Sequence, residues 1–287
     1  MIIPLLMVNF FIMLAAAFGV GFWLATKHRA SWELWAIGAG TFIASQFGHI
    51  PFNLLIDQLN LLPTNDLATN NINLLITAIF LGLSAGLFEE TARYITFRWV
   101  RPQARSWTAG MMIGAGHGGV EALLISLAAL IGIINAVIIT LGDVAALLPA
   151  DQIALVQDTL NSMAWYELIL GGIERVFAVT CHLAFSLIVM QVFRRGQIRW
   201  LFVAIAGHTI LNAAAVIGSQ RLTPLETELI ICFFAFLSFV LIISWRDQTD
   251  PTTTTDPESS PLTTPLTAND VNLPTNHDKI EHSRYHD

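Results

Sequence analysis

The sequence has little charge and almost no cysteine, and each scarcity excludes a class of protein. Charged residues make up 12% of the 287 positions, about half the share that is usual in a soluble domain. The two cysteines, Cys181 and Cys232, both lie inside apolar stretches, which excludes a disulfide-stabilised secreted domain. The formal net charge is −7, and no basic cluster indicates nucleic-acid binding.

Long apolar stretches are the dominant feature of the chain. Hydrophobic residues account for 54% of it, and about 20 apolar residues suffice for one helical crossing of a bilayer. The stretches predict helices near 4–25, 33–56, 72–98, 108–141, 162–193, 199–218 and 226–245. The fourth carries Gly114, Gly116, Gly118 and Gly119, which predict either a bend or close packing against a neighbouring helix.

These stretches predict an all-α, polytopic helical bundle of about seven transmembrane helices in a cell membrane. The predicted transmembrane domain covers residues 1–245 and is expected to be embedded in the lipid bilayer. Residues 246–287 are rich in Thr, Asp, Pro and Ser with little to bury, which is typical of a disordered tail.

The loop charges predict an orientation. Basic residues follow the odd-numbered helices: Lys27, Arg29, Arg98, Arg101, Arg105, Arg194, Arg195, Arg199 and Arg246. In the intervening loops Arg221 is the only basic residue, among several acidic ones. Since positive residues concentrate in cytoplasmic loops, we expect the N-terminus outside and the C-terminus in the cytoplasm.

Ionisable and amide side chains interrupt the apolar stretches. Within the predicted spans lie Gln46, His49, Asn53, Glu89, Glu90, Arg93, His117, Glu121, Glu174, Arg175, His182, His208 and Asn212. Such residues cost several kcal/mol inside a membrane unless they are paired, so they commonly mark functional sites.

Four of these residues fall at a similar depth on four different helices. At about 1.5 Å per residue, Glu90 and His208 lie roughly 12–13 Å from the cytoplasmic ends of their helices. His117 and His182 lie roughly 13–18 Å in by the same rise. The sequence therefore predicts one polar cavity on the cytoplasmic side of the bilayer midplane.

Other polar residues have simpler interpretations. His49 is expected to form a hydrogen bond between helices. Glu174 and Arg175 lie near the outer interface, where an interfacial ion pair is as reasonable as a site role. Arg93 is expected to neutralise one of the two glutamates that precede it.

A carboxylate beside imidazoles suits the activation of water. The glutamate would act as general base while histidines, with Asn212, stabilise an oxyanion. Alternatively His117, His182, His208 and Glu90 could bind zinc, which lowers the pKa of water toward about 7. No His-Glu-x-x-His motif is present, so the cofactor stays open between zinc and none.

Four motifs in order carry a resemblance to a known family. They are Glu89-Glu90-Thr91-Ala92-Arg93, then Gly116-His117-Gly118-Gly119-Val120-Glu121, then Glu174-Arg175 with His182, and finally His208-x-x-x-Asn212. This arrangement resembles the YhfC family of intramembrane proteases, which is similar to type II CAAX prenyl endopeptidases, bacteriocin-processing proteases and PrsW proteases. A more distant similarity is to the multi-pass scaffold subunit of γ-secretase. The resemblance covers about residues 30–245, with a motif core at about 72–218.

The resemblance implies that one of the two adjacent glutamates, Glu89 or Glu90, activates water. The other implied site residues are His117, His208 and Asn212, with Arg93, Glu121 and His182 in support. Two residues separate the glutamate pair from Arg93, where the CAAX type has three, which leaves the choice of glutamate open. Ile113 stands where the CAAX type has Phe, so prenylated substrates are not implied.

The favoured function is an intramembrane endopeptidase that cleaves a peptide or a membrane-protein substrate near the cytoplasmic leaflet. Two alternatives remain. One is a non-enzymatic assembly or scaffold subunit that uses the same polar network. The other is a proton-coupled transporter, against which stand the lack of an internal repeat and the clustering of polar groups at one depth.

Overall fold

The computed structural model describes residues 2–141, 153–154, 158–160 and 162–246. Across those ranges the secondary structure is helical, with no strand. The seven long helices are α1 Ile2–His28, α2 Trp32–Gln58, α3 Asn71–Ile95, α4 Trp107–Leu141, α5 Glu167–Arg194, α6 Arg199–Arg221 and α7 Pro224–Ser244. The predicted tail lies outside the described residues, apart from Arg246.

Each predicted stretch corresponds to one helix, and two boundaries differ for local reasons. α3 ends at Ile95 and continues as one π-helical turn, Thr96–Val100. α5 begins at Glu167, five residues later than predicted. Tyr166 is the N-cap residue, and the backbone N–H of Ala164, just before it, donates to the Glu167 carboxylate at 2.8 Å.

The chain is a multi-pass membrane protein. Within the described ranges, every long helix except α2 is long and apolar enough to cross a membrane. α2 has 27 residues, but Gln46, His49 and Asn53 make it more polar. α5 is the central helix, since 72% of its apolar segment is buried against at most 39% in the other candidate spans.

Glycines set the close contacts among the helices that surround α5. A Cβ added at Gly38 of α2 would clash with the Ile113 carbonyl of α4. One added at Gly86 of α3 would lie 2.9 Å from the Ile205 carbonyl of α6. Gly118 leaves room for His182, whose Cβ would lie 3.0 Å from an added Cβ. The glycines of α4 therefore allow close packing against neighbouring helices, which is one of the two predictions made for them. This close packing brings the polar residues of several helices together.

Candidate functional site

The structure brings the predicted depth-matched residues into one buried cluster on α3, α4, α5 and α6. Glu89, Glu90, His117, His182 and His208 are all at most 6% exposed. The ring centroids of His117 and His182 are 5.2 Å apart, and those of His182 and His208 are 5.5 Å apart. A carboxylate pair and three imidazoles therefore share a volume from which lipid is excluded.

Glu89 lies between two of the imidazoles. Its Oε2 accepts a hydrogen bond from His117 Nε2 at 3.0 Å, and His208 Nε2 lies 3.9 Å away. Glu89 therefore faces the histidines of both α4 and α6. Among the described contacts, no hydrogen bond or ion pair joins Glu89 to an arginine.

Glu90 is held by other groups. Its Oε1 accepts hydrogen bonds from the Arg93 guanidinium and from His208 Nδ1, the latter at 2.7 Å. Glu90 and Arg93 are both 0% exposed. This pairing balances the buried charge of Arg93 and fixes the orientation of the His208 ring.

His182 links the cluster to a second carboxylate. Arg93 Nη2 donates to His182 Nδ1 at 2.6 Å, and because a guanidinium only donates, this nitrogen carries no proton. The remaining nitrogen, Nε2, lies 2.7 Å from Glu121 Oε2, so its N–H donates there. The contacts define His182 as a neutral ring of fixed tautomer.

The line of contacts continues toward the N-terminal part of α5. Glu121 Oε1 accepts from Arg175 Nη1 at 2.8 Å, and Arg175 also pairs with Glu174. Contacts through Glu121 therefore connect the depth-matched residues to Arg175 and Glu174, and the pair between Arg175 and Glu174 is one of the two interpretations that the sequence offered for them. These pairs satisfy charges that would otherwise be costly in a bilayer.

Two other polar residues lie outside this cluster. Asn212 is half-buried on α6, one turn beyond His208, and among the described contacts no hydrogen bond joins it to the cluster. His49 belongs to a separate network between α2 and α3, where it contacts Ser84 at 3.2 Å and Asn53 at 2.9 Å. His49 thus forms the expected bond between helices.

Aromatic rings that the sequence analysis missed hold two of the histidines. Phe185 stacks on His208 with centroids 5.0 Å apart and planes 8° apart. Phe42 of α2 meets the His117 ring edge-on at 5.2 Å. Both are single phenylalanines in apolar helices, and nothing in the pattern distinguishes them from lipid-facing ones.

The donor set fits a metal ion. One ligand atom from each of Glu89, His117 and His182 lies within 4.8 Å of the others, and nitrogen and oxygen donors of this kind suit zinc. One ring nitrogen of His182 contacts Glu121, and one ring nitrogen of His208 contacts Glu90. Metal-ligating histidines usually make such a contact with the ring nitrogen that does not bind the metal. His117 Nδ1 and Glu90 Oε2 are buried without a hydrogen-bond partner.

Comparison with known proteins gives two matches. The family model described as YhfC intramembrane metalloprotease matches residues 10–233. The chain is also 30% identical over 233 residues to the uncharacterized membrane protein YhfC of Bacillus subtilis (strain 168), which covers 78% of this chain and 89% of the relative. No solved structure matches.

Proposed function

This chain belongs to the YhfC intramembrane metalloprotease family, and we propose that it is an endopeptidase that hydrolyses a peptide bond near the cytoplasmic leaflet. The observation that carries the proposal is the Glu89 carboxylate against the His117 and His208 imidazoles, in a cluster enclosed by four helices. A carboxylate and imidazoles in a dry site are suited to water activation. The substrate would be a membrane protein or a membrane-associated peptide.

Glu89, rather than Glu90, is the reactive carboxylate of this proposal. Glu90 Oε1 already accepts from Arg93 and His208, so its charge is committed to them. Glu89 accepts one hydrogen bond from His117 and accepts the proton of the attacking water. Glu90 acts as a positioning residue for His208.

The chain also offers ligands for a divalent metal. His117 and His182, two of the three residues whose ligand atoms lie within 4.8 Å of one another, would hold the ion together with His208, whose Nε2 lies 3.9 Å from Glu89. When bound, the ion would supply Lewis acidity that lowers the pKa of water and polarises the scissile carbonyl. Arg93 now donates to His182 Nδ1, so His182 becomes a ligand only after that contact breaks. His117 offers Nδ1, which has no hydrogen-bond partner among the described residues, and His208 offers Nε2, which lies 3.9 Å from Glu89.

The remaining roles concern charge on the substrate carbonyl oxygen. Histidine N–H groups aimed into the cluster stabilise that oxygen as it becomes negative. Asn212, one turn from His208 on α6, supplies an amide N–H for the same oxygen. The buried positive charge of Arg93 favours the same negative charge.

Proton transport is a weaker use of the same residues. The line of contacts from Glu90 to Glu174 passes through Arg93 and Arg175. A guanidinium does not give up its proton in a protein, so these two residues interrupt any relay along the line.

Metal analysis and N-terminal proteomics together test the proposal. Wild type and His28→Ala, a control at the end of α1, should each hold about one zinc or similar ion per chain. His117→Ala and His208→Ala should lose the ion. New protein N-termini within membrane segments should appear in cells that express wild type and be absent with Glu89→Gln. Unchanged N-termini in Glu89→Gln cells would overturn the assignment.

His182 has its own test. Loss of the ion in purified His182→Gln would make this residue the third ligand. Retention of the ion together with reduced proteolysis would instead make it a positioning residue for Arg93. A variant with full metal content and full proteolysis would remove His182 from the proposed site.

A further inference from the structure

Basic residues gather at one end of the helical bundle. It is the end at which α1, α3, α5 and α7 finish and α2, α4 and α6 begin. Nine lysines and arginines lie there, and the only acidic residue among the described residues of this end is Glu33. Glu33 is already paired with Arg101 at 3.2 Å. The described part of this end therefore offers no further carboxylate to its other basic residues.

Two of these arginines have partners inside the protein. Arg105 donates a hydrogen bond to the Phe97 carbonyl at 2.6 Å, and Arg194 donates one to the Arg105 carbonyl at 3.0 Å. Such bonds satisfy backbone carbonyl groups that have no partner within a helix. These two guanidinium groups therefore serve the fold, and binding of an external ligand has to be sought at other arginines.

The turn between α5 and α6 carries two arginines that are placed differently. Arg195 is the C-cap residue of α5, and Arg199 is the first residue of α6. Both are exposed. Arg195 donates through Nε to Gln191 at 3.1 Å. Within the described ranges, no hydrogen bond or ion pair uses the two Nη groups of Arg195 or any part of the Arg199 guanidinium. Their N–H groups are therefore available to an external acceptor.

A single tryptophan holds both guanidinium groups. The Cζ of Arg195 lies 4.9 Å from the centroid of the Trp200 ring, and the Cζ of Arg199 lies 5.8 Å from it. Trp245 of α7 adds a second ring, whose centroid is 5.6 Å from Arg195 Cζ. Cation–π contacts of this kind restrain an arginine side chain. Two positive charges are thus kept close together without a counter-charge among the described residues, and an anion between them would offset their repulsion.

The surroundings of the arginine pair suit a lipid better than a soluble anion. Tryptophans at the ends of membrane helices lie at the level of the lipid headgroups. Beyond Arg199, the exposed face of α6 continues with apolar residues at intervals of three and four, which share one side of a helix: Phe202, Val203, Ala206 and Ile210. Phe202 is 63% exposed and Ile210 is 56% exposed. A headgroup held at Arg199 would therefore have its acyl chains against this face.

We propose that Arg195 and Arg199 bind the phosphate of one anionic phospholipid, whose acyl chains follow the exposed face of α6. Guanidinium groups suit phosphate oxygens because their N–H groups form paired, charge-assisted hydrogen bonds. A zwitterionic choline headgroup is disfavoured, since two neighbouring arginines repel its cation. The site is separate from the buried cluster, because His208 lies about 13 Å along α6 from Arg199. The inference does not depend on the proposed function.

Native mass spectrometry of the full chain tests the site with defined lipids. The protein is purified in detergent and mixed with dioleoyl phosphatidylglycerol or dioleoyl phosphatidylcholine. Wild type should bind one phosphatidylglycerol more tightly than phosphatidylcholine. The double variant Arg195→Gln, Arg199→Gln should bind phosphatidylglycerol about thirtyfold more weakly, since each arginine near an anionic lipid contributes about fivefold to the affinity.

The double variant Lys27→Gln, Arg29→Gln is the matched control. It removes two positive charges from the end of α1, at the same end of the bundle, and the described contacts join neither residue to Trp200. Both residues are exposed, as are the two arginines of the site, so neither double variant is expected to lose its fold. The control should bind phosphatidylglycerol nearly as tightly as wild type.

Three results would overturn the inference. Equal losses in the two double variants would leave only a general attraction between this end of the bundle and anionic lipid. Equal binding of the two lipids by wild type would exclude selection of an anionic headgroup. Displacement of phosphatidylglycerol from wild type by excess inorganic phosphate, with no such effect of excess chloride, would assign the two arginines to a soluble anion.

Discussion

The two faces of α3 are packed in opposite ways. Toward α6, Gly86 brings the helix backbones together, and Glu90 and Arg93 are completely buried. Toward α2, Leu87 and Ile95 border open space. One helix is therefore closely packed on the face where charged groups must keep their geometry and loosely packed on the face toward α2. Dense and loose packing are separated by half a helical turn rather than by different domains.

The largest expected effect concerns the two adjacent glutamates. Glu89→Gln should reduce proteolysis about 10²–10⁴-fold, the usual contribution of a general base, while the thermal unfolding temperature stays near that of wild type. Glu90→Gln should lower the unfolding temperature, since it weakens the partner of buried Arg93. The rate of proteolysis and the thermal unfolding temperature are measured for both variants. A stable but inactive Glu90→Gln beside an active but destabilised Glu89→Gln would exchange the two roles.

The next largest effect is expected for a substitution of Arg93, and it is a loss of folding stability. Arg93→Leu leaves Glu90 buried without its main partner, at a cost of about 3–5 kcal/mol. The double variant Arg93→Leu, Glu90→Gln should recover part of that loss. Thr91→Leu, on the opposite face of α3, is the control. Denaturant titration in detergent measures all three, and a double variant no more stable than Arg93→Leu would contradict the ion-pair explanation.

A pair of glycine substitutions tests the same comparison, with a smaller expected loss of stability. Gly86→Leu would press on the Ile205 carbonyl and on His208 Cβ, 2.9 and 3.5 Å from an added Cβ, and should destabilise the protein by about 1–3 kcal/mol. Gly40→Leu, which enters open space, should change stability little. Equal losses in the two variants would show that Gly40 does not border open space in the membrane.

The smallest expected effect is at a pair of hydroxyl groups between α2 and the end of α3. Thr41 Oγ1 and Thr96 Oγ1 are 2.7 Å apart and buried, and they join α2 to the π-helical turn after α3. Thr41→Val keeps the side-chain shape and removes this bond, at about 0.6 kcal/mol for a hydrogen bond between membrane helices. Thermal unfolding beside the exposed-site variant Ser219→Ala measures the difference, and no change would exclude a role for the pair.

The sequence was sufficient to predict the helices and the depth of the polar residues, because hydropathy and the rise per residue report both. It could not predict which glutamate faces His117, since adjacent residues differ by about 100° around a helix and depth carries no information on rotation. The contact between Arg93 and His182 joins residues 89 positions apart, beyond any local pattern.

The packing of α2 shows that sequence-based prediction has the same limit there. Gly38 and Gly40 are the same residue type two positions apart on α2, yet one is packed against α4 and the other borders open space. Only the positions of the neighbouring helices distinguish them. The ion pair between Arg175 and Glu121 was missed for a similar reason, because the sequence offered Glu174 as a partner of Arg175 but not the rotation of α4 that turns Glu121 toward it.

The Glu90–Arg93 pair has a consequence for biosynthesis. A charged residue at the centre of a membrane helix raises the free energy of insertion by roughly 2.5–3.5 kcal/mol. Because these two residues are one turn apart on α3, they can neutralise each other as soon as that helix forms. His208, the other partner of Glu90, is synthesised more than a hundred residues later. The local pair thus lowers the free-energy cost of inserting α3 before α6, which carries His208, has been synthesised.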